Sequence, residues 1–366
     1  MTALFSSARL GKLELANRIL VAPMCQYSAI DGVAQPWHEQ HWGHLANSGA
    51  GALTIEATAV ESQGMITHGC LGLWNDTQAD AILRTLRRIR SYANLPIGIQ
   101  LAHAGRKGSA TRPWEGGQPL ATEDGAWRTV APSPLSWGPG WPEPMALDES
   151  SMGRIVEAFT RAVGLANSAG LNFVELHAAH GYLLHSFLSP ISNHRGDGYG
   201  GSRENRMRFP LEVVRAVRHA WPEAKTLGIR INGTDWIENG WGIDDAIAFA
   251  YCLVKDGVDY LSISSGGARS GVPIKLEPGY QVHLATAIRA TIGCPVVCAG
   301  LIADAHLAES IIANERADFV ALARAMLDDP CWAIHAAAIL GGPASLPPPY
   351  QLAAAGKWPL ARRAAR

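Results

Sequence analysis

Two histidines and a tyrosine stand within six positions, His177, His180 and Tyr182, in the stretch Phe173-Val-Glu-Leu-His-Ala-Ala-His-Gly-Tyr182. All three carry exchangeable protons, suited to holding an oxygen that gains charge or to giving a proton to a reacting atom. That chemistry needs the groups held together where the chain leaves its scaffold. Phe173 to His177 reads as a short buried strand, with Val174 and Leu176 on one face and Glu175 and His177 on the other. After His177 the alternation stops and Gly181 punctuates the chain, so the three groups gather where one strand ends.

Other strand-like runs aim polar groups the same way. Ile97-Gly-Ile-Gln-Leu101 sets Gly98 and Gln100 on one face, and Leu227-Gly-Ile-Arg-Ile-Asn232 does the same for Gly228, Arg230 and Asn232. Thr54 and Glu56 share a face in a third run, and Ser262 and Ser264 in a fourth. A buried polar group costs about 1–3 kcal/mol when unpaired, so this convergence predicts either a mutual network or a polar ligand. Gly98 and Gly228, lacking side chains, are expected to leave room for a planar heterocycle. Cys298-Ala-Gly-Leu-Ile302 ends one strand just before a helix opening at Asp304, and Leu322-Ala-Arg-Ala-Met326 places Arg324 at a helix start. Backbone amides at such helix starts, with one arginine, suit a phosphate. A planar polar ring with one phosphate fits FMN better than a dinucleotide or a sugar phosphate.

The elements that must position these groups alternate regularly. Strands are predicted at 19–23, 52–58, 96–101, 173–177, 226–232, 260–264, 295–299 and 319–322. Helices are predicted at 41–48, 76–93, 148–169, 205–220, 244–256, 280–292, 304–314 and 329–340, with Asp76, Asp148, Asp244 and Asp304 as N-caps. Eight strands each followed by a helix predict an α/β fold, a (β/α)8 TIM barrel. Residues 1–342 are read as one FMN-binding domain and 343–366 as a C-terminal tail, with Arg362 and Arg363 in a disordered basic end. Two long insertions follow strands three and four, Ala104 to Met145 and Gly181 to Arg206. Both emerge on the C-terminal face, where barrel active sites lie. The first contains Arg106, Lys107 and four tryptophans (Trp114, Trp127, Trp137 and Trp141), as expected of a lid or pocket wall.

Composition excludes other classes. With 366 residues, 48% apolar, the chain can bury a large core. Its net charge of −1 and lack of a basic block argue against nucleic acid and against membrane surfaces. No stretch approaches the ~20 apolar residues of a spanning helix. The N-terminus lacks a signal-peptide pattern, and six scattered cysteines suit reduced thiols, so a cytoplasmic location is expected. A metal-dependent barrel hydrolase using His177 and His180 as ligands is the alternative, but no inward Asp joins the pair and it leaves Gln100 and Arg230 unexplained.

Taken together, these residues resemble the old yellow enzyme family of FMN-dependent ene-reductases, in the shorter bacterial branch that includes xenobiotic reductases. The likeness runs from about residue 3 to 342 and rests on motifs in a fixed order. They are Asn17-Arg18, Ala22-Pro-Met-Cys-Gln-Tyr27, Glu56-Ala-Thr58, Gln100-Leu-Ala-His-Ala-Gly-Arg106, the His177 to Tyr182 stretch, and Tyr199-Gly-Gly-Ser-Arg-Glu-Asn-Arg-Met-Arg-Phe209. Cys25 followed by Tyr27 marks the branch. The resemblance implies tightly bound FMN and NAD(P)H as hydride donor, NADPH favoured. It implies reduction of activated C=C bonds in small electrophiles such as α,β-unsaturated carbonyl compounds, and also nitro compounds. It sets Ala22, Pro23, Met24 and Cys25 against the flavin, with Cys25 tuning its redox behaviour. Ala57 lies at the flavin O4 side, Gln100 at the pyrimidine edge and Arg230 near N1. Gly300, Ala323 and Arg324 hold the phosphate. Tyr27, His177, His180 and Tyr182 meet the substrate, and Tyr182 donates the proton. A homodimer or homotetramer is implied. The chain departs from its relatives in carrying Ala323 where glycine is more usual, and in having no arginine shortly after Tyr350. An iron–sulfur dienoyl-CoA-type reductase, the nearest rival enzyme, would require a clustered cysteine run that this sequence lacks.

Overall fold

The computed structural model describes residues 2–343, 346–354 and 357, so Arg362 and Arg363 lie outside the described residues. Eight parallel strands close into a barrel: β1 (Ile19–Val21), β2 (Ala52–Ala59), β3 (Ile97–Ala102), β4 (Phe173–Ala178), β5 (Thr226–Asn232), β6 (Tyr260–Ser264), β7 (Val296–Cys298) and β8 (Phe319–Leu322). β8 pairs back onto β1 through Val320–Ile19 and Leu322–Val21, which closes the ring. The outer helices are α1 (Pro36–Ala46), α2 (Asp76–Arg90), α3 (Glu149–Ser168), α4 (Arg203–Ala220), α5 (Ile243–Lys255), α6 (Val282–Arg289), α7 (Ala305–Ala313) and α8 (Trp332–Leu340). The strand and helix alternation of the sequence is therefore the (β/α)8 barrel it predicts.

Helix ends depart from the sequence reading where a neighbour caps better. Asp148 and Asp304 do cap, accepting from the amides of Ser151 and Leu307. At α2 the cap is Asn75, which accepts from the Gln78 amide, and Asp76 lies inside the helix. At α5 the cap is Gly242, whose amide donates to Asp245. α1 starts at Pro36, ahead of the expected His41, because the Gln35 amide donates to His38 Nδ1 at 3.0 Å and proline suits the first helical position.

The strands bury one set of side chains against the helices and the other inside the barrel. The interior floor is Leu20, Phe173, Tyr260, Val297 and Phe319, all buried. A hairpin that the sequence reading did not anticipate, Ala8–Leu10 with Leu13–Leu15, plugs the N-terminal end with Leu10 and Leu15. The hairpin is fastened to β5, where Thr226 Oγ1 donates to the Leu10 carbonyl and accepts from the Lys12 amide. Local alternation in so short a pair is weak evidence, and its apolar side chains become a plug only because a barrel stands above them.

Two expectations about inward positions are corrected by the structure. The space at Gly98 and Gly228 is filled by the protein's own rings, not by a cofactor. A Cβ on Gly98 would lie 2.4 Å from the Phe173 ring, and one on Gly228 would lie 2.1 Å from Tyr260. These glycines let large aromatics seal the floor. Gly98→Ala is accordingly expected to destabilise the protein by about 1–3 kcal/mol or more, since overpacked cores relieve strain poorly. Denaturant unfolding measures this, and an unchanged midpoint would show that Phe173 can turn aside. The second correction is Glu56. A bulge lies between Ile55 and Ala57, so Thr54 pairs with Gly98 while Ala57 pairs with Gln100. Ala57 thus takes the inward phase, and Glu56 swings to α1, with Oε1 3.7 Å from His38 Nε2 and accepting from the Gln26 amide.

The insertion after β3 is bound down. Arg106 donates from Nη1 to the carbonyls of Leu135 and Ser136 and from Nη2 to that of Ala268, while Trp137 Nε1 donates to the Gly267 carbonyl. It therefore lies against the loop after β6 at the C-terminal end of the barrel.

Candidate active site

The register of four parallel strands builds the site in layers. Gln100 pairs with Glu175, Glu175 with Gly228, His177 with Arg230, Arg230 with Ser262, and Asn232 with Ser264. In the lower layer, Glu175 accepts from Gln100 Nε2 at 2.7 Å and from the Tyr260 hydroxyl at 3.0 Å. Burial raises its carboxyl above the ordinary range, while Arg230 and the two donors pull the other way. Glu175 is thus the counter-charge beneath Arg230.

Above it the chain turns sharply. His180 (φ 58°) and Gly181 (φ 75°) are both left-handed, and a Cβ on Gly181 would meet the Gly267 carbonyl at 2.0 Å. Only glycine fits there. Both amides and the His180 carbonyl of the turn have partners. The His180 amide donates to Asn232 Oδ1 at 3.2 Å, and the Gly181 amide to His185 Nδ1 at 3.0 Å. The His180 carbonyl accepts from Lys107 Nζ at 2.7 Å. His185 is itself buried against Asp235, 3.1 Å away.

The turn delivers an ordered chain of donors. Burial, then Arg230, push both His177 and His180 well below the ordinary imidazole range, so the rings are neutral. His177 Nδ1 accepts from the Ala179 amide at 3.2 Å, which leaves its proton on Nε2. That proton points to His180 Nδ1 at 3.3 Å, and His180 Nε2 then donates to Ser264 Oγ at 2.6 Å. Ser264 also accepts from Arg230 Nη2 at 3.3 Å and donates to Gln281 Oε1 at 3.1 Å. Tyr182 stands edge-on to His177, ring centroids 4.8 Å apart at 82°. Burial, with Cys25 adding, raises its phenol, which stays protonated through the physiological range.

The β1 end supplies a second wall. Ala22 is buried, and Pro23, Met24 and Cys25 are half-buried, with Met24 packed on the outer core. The Cys25 thiol is pushed well up by burial, then by Cys70 and Glu56, with Tyr27 pulling the other way. Tyr27 is left-handed (φ 50°), its carbonyl accepting from Arg112 Nε at 3.0 Å and its ring edge-on to Trp114. Burial raises its phenol too. Ala57 and Tyr182 border one small void. Ala22, His180, Arg230, Gly300, Ala323 and Arg324 line one cavity of about 270 Å³. Ala323, the N-cap of the short helix that Arg324 opens, has φ −108° and ψ −92°, outside the regular helix and strand regions.

Sequence reasoning left several site residues unassigned. Asn232 and Ser264 were visible as inward positions, and Lys107 as part of the insertion. Gln281, His185 and Asp235 carry no sequence signal, because each reaches the site from a separate loop or helix. Among the described residues, no group of three or more His, Cys, Asp and Glu side chains could hold a metal ion.

Residues 3–340 match the model of the NADH:flavin oxidoreductase / NADH oxidase family. The chain belongs to this family, the old yellow enzymes. The NADPH dehydrogenase of Listeria innocua is 39% identical over 96% of this chain and 99% of its own length. An NADH:flavin oxidoreductase of Gibberella zeae is also 39% identical, over 85% of this chain and 79% of its own. Among solved structures, morphinone reductase superposes with a TM-score of 0.77 at 28% identity, covering 95% of this chain and 91% of that one. A 2-naphthoyl-CoA reductase gives 0.82 at 24% identity over 93% of this chain but only 52% of that one, a likeness of fold alone. This old yellow enzyme is therefore an NAD(P)H-dependent oxidoreductase whose cofactor is FMN. Among its described residues no helix is long and apolar enough to cross a membrane.

The residues present fit FMN. Arg230 Nε is buried without a hydrogen-bond partner, a cationic donor aimed into the site. At the other end of the cavity, Gly300 (φ 117°) leaves no room for a Cβ, which would meet Gln281 Nε2 at 2.7 Å, and Arg324 is exposed at the rim. An anionic group beside Arg324 and a polar ring edge beside Arg230 match the cofactor's chemistry.

Proposed function

We propose that the protein is an ene-reductase, taking reducing equivalents from NAD(P)H, with NADPH favoured, and reducing the activated C=C bond of α,β-unsaturated carbonyl compounds. Nitro compounds are a second acceptor class of the same chemistry. FMN, when bound, supplies the hydride relay between nicotinamide and the substrate β-carbon. In this reading Ala22 to Cys25, Ala57, Gln100 and Arg230 hold its ring system, and Gly300, Ala323 and Arg324 its phosphate.

The observation that carries the proposal is the neutral, ordered pair His177 and His180 beside a protonated Tyr182. An acceptor oxygen that gains charge is best met by fixed donors already oriented toward it. His180 Nε2–H can turn from Ser264 to such an oxygen at the loss of one bond. Ser264 would still accept from Arg230 and donate to Gln281. His177 in turn holds the proton that keeps His180 Nδ1 an acceptor and its Nε2 a donor. Tyr27, on the opposite wall, confines the substrate. Tyr182 then gives its phenolic proton to the α-carbon. Anaerobic mixing of the NADPH-reduced protein with a cyclic enone tests this. Rapid return of the oxidised flavin spectrum with formation of the saturated ketone is expected. Reoxidation by quinone but not by any enone would sink the proposal.

A further inference from the structure

Lys107, at the end of the Gly105–Lys107 turn after β3, occupies an unusual place. Its Nζ lies 4.8 Å from the ring centroid of Tyr182 and 4.6 Å from that of Trp137, and donates to the His180 carbonyl. No carboxylate forms an ion pair with it among the described residues. Anchoring the insertion does not require it, because neighbouring Arg106 already holds three carbonyls. A half-buried ammonium without a counter-anion is costly, so its position calls for a partner that needs positive charge. A cation on the face of a phenol ring is attracted by the ring, and more strongly once the oxygen becomes negative.

We infer that Lys107 is a positioning residue that acts through Tyr182, its ammonium stabilising the phenolate left when Tyr182 gives its proton to the substrate carbon. This rests on the reading of Tyr182 as proton donor. In the step, the Tyr182 O–H bond breaks and a C–H bond forms at the α-carbon. The O–H electron pair remains on the phenol oxygen, and water returns a proton to it before the next turnover.

The same geometry makes the step depend on pH. Burial, with Arg106 adding, pulls the Lys107 ammonium down to about 7. The groups facing it are Arg106 on its own turn, His177 on β4, His180 and Tyr182 beyond β4, and Arg230 on β5. Burial keeps the two imidazoles neutral and the phenol protonated, Arg106 stays charged to about 10, and Glu175 favours the charged form of Arg230. Lys107 is charged below its pKa, so enone reduction should be fast below neutrality and fall as pH rises through about 7.

The test is stopped-flow reoxidation of the NADPH-reduced, FMN-loaded protein by a cyclic enone and by a quinone, from pH 6 to 9, a range of about three units. Lys107→Met should slow the enone reaction about tenfold, leave the quinone reaction unchanged and abolish the fall near neutrality. Lys107→Arg should restore the rate. Combined with Tyr182→Phe, Lys107→Met should add nothing. Equal slowing of both acceptors, a surviving pH fall, or full additivity with Tyr182→Phe would overturn the inference while leaving Tyr182 its role. If Tyr182→Phe alone leaves the enone rate unchanged, the reading of Tyr182 fails, and the inference with it.

Discussion

Tyr182→Phe is expected to slow reduction of a cyclic enone by about a hundredfold or more while flavin reduction by NADPH stays near its original rate. General-acid groups contribute roughly 10²–10⁴, and solvent can take over part of the work in a site open to water. The substitution removes one oxygen and leaves the ring, so the edge-on packing against His177 and the cation contact to Lys107 persist. A quinone needs no proton at carbon and should react as before. Measuring both half-reactions with both acceptors separates the roles. Equal slowing with enone and quinone would make Tyr182 a wall of the pocket, and no slowing with either would remove it from the chemistry.

His177→Ala should be the more general lesion, lowering the rate by on the order of 10²–10³ with enone, nitro compound and quinone alike, since a preorganised donor serves charge on any acceptor oxygen. The structure sharpens this expectation. His177 Nε2–H also holds His180 Nδ1, so its loss frees the second ring to change tautomer or turn away. The double variant with His180→Ala should therefore fall well short of the product of the single effects, as for groups acting as one unit. Steady-state kinetics of the single and double variants at matched FMN content measure the coupling. Full additivity would mean that the rings act on the acceptor separately.

Much of this site is legible along the chain because strand alternation is a local property. Once Phe173 to His177 is a strand, Glu175 and His177 must share a face, and the same argument carries Gln100, Arg230 and Ser264 inward. Gly181 is legible for a similar reason, since the turn after a strand end needs a residue that tolerates positive φ. The alternation failed where the register broke. A bulge is set by how two strands meet, so Glu56 was expected inward and is found against His38 of α1. Helix caps failed where the helix began one or two residues ahead of the expected aspartate, at Asn75 in place of Asp76 and at Gly242 in place of Asp244.

By itself the sequence determined the barrel, the strand ends that face the site and the motifs of an FMN-dependent oxidoreductase. These follow from periodicity and from short ordered motifs, which each segment carries without its partners. Only the tertiary structure decided what fills the barrel and how the polar groups pair. Gly98 and Gly228 looked like room for a ring, yet closing the barrel brings Phe173 and Tyr260 into that space. The direction of the His177–His180–Ser264 chain, the counter-charge of Glu175 beneath Arg230 and the seat of Lys107 over Tyr182 depend on residues from three strands and both insertions. Desolvation and hydrogen-bond direction are properties of an enclosed volume, and no single stretch of chain encloses one.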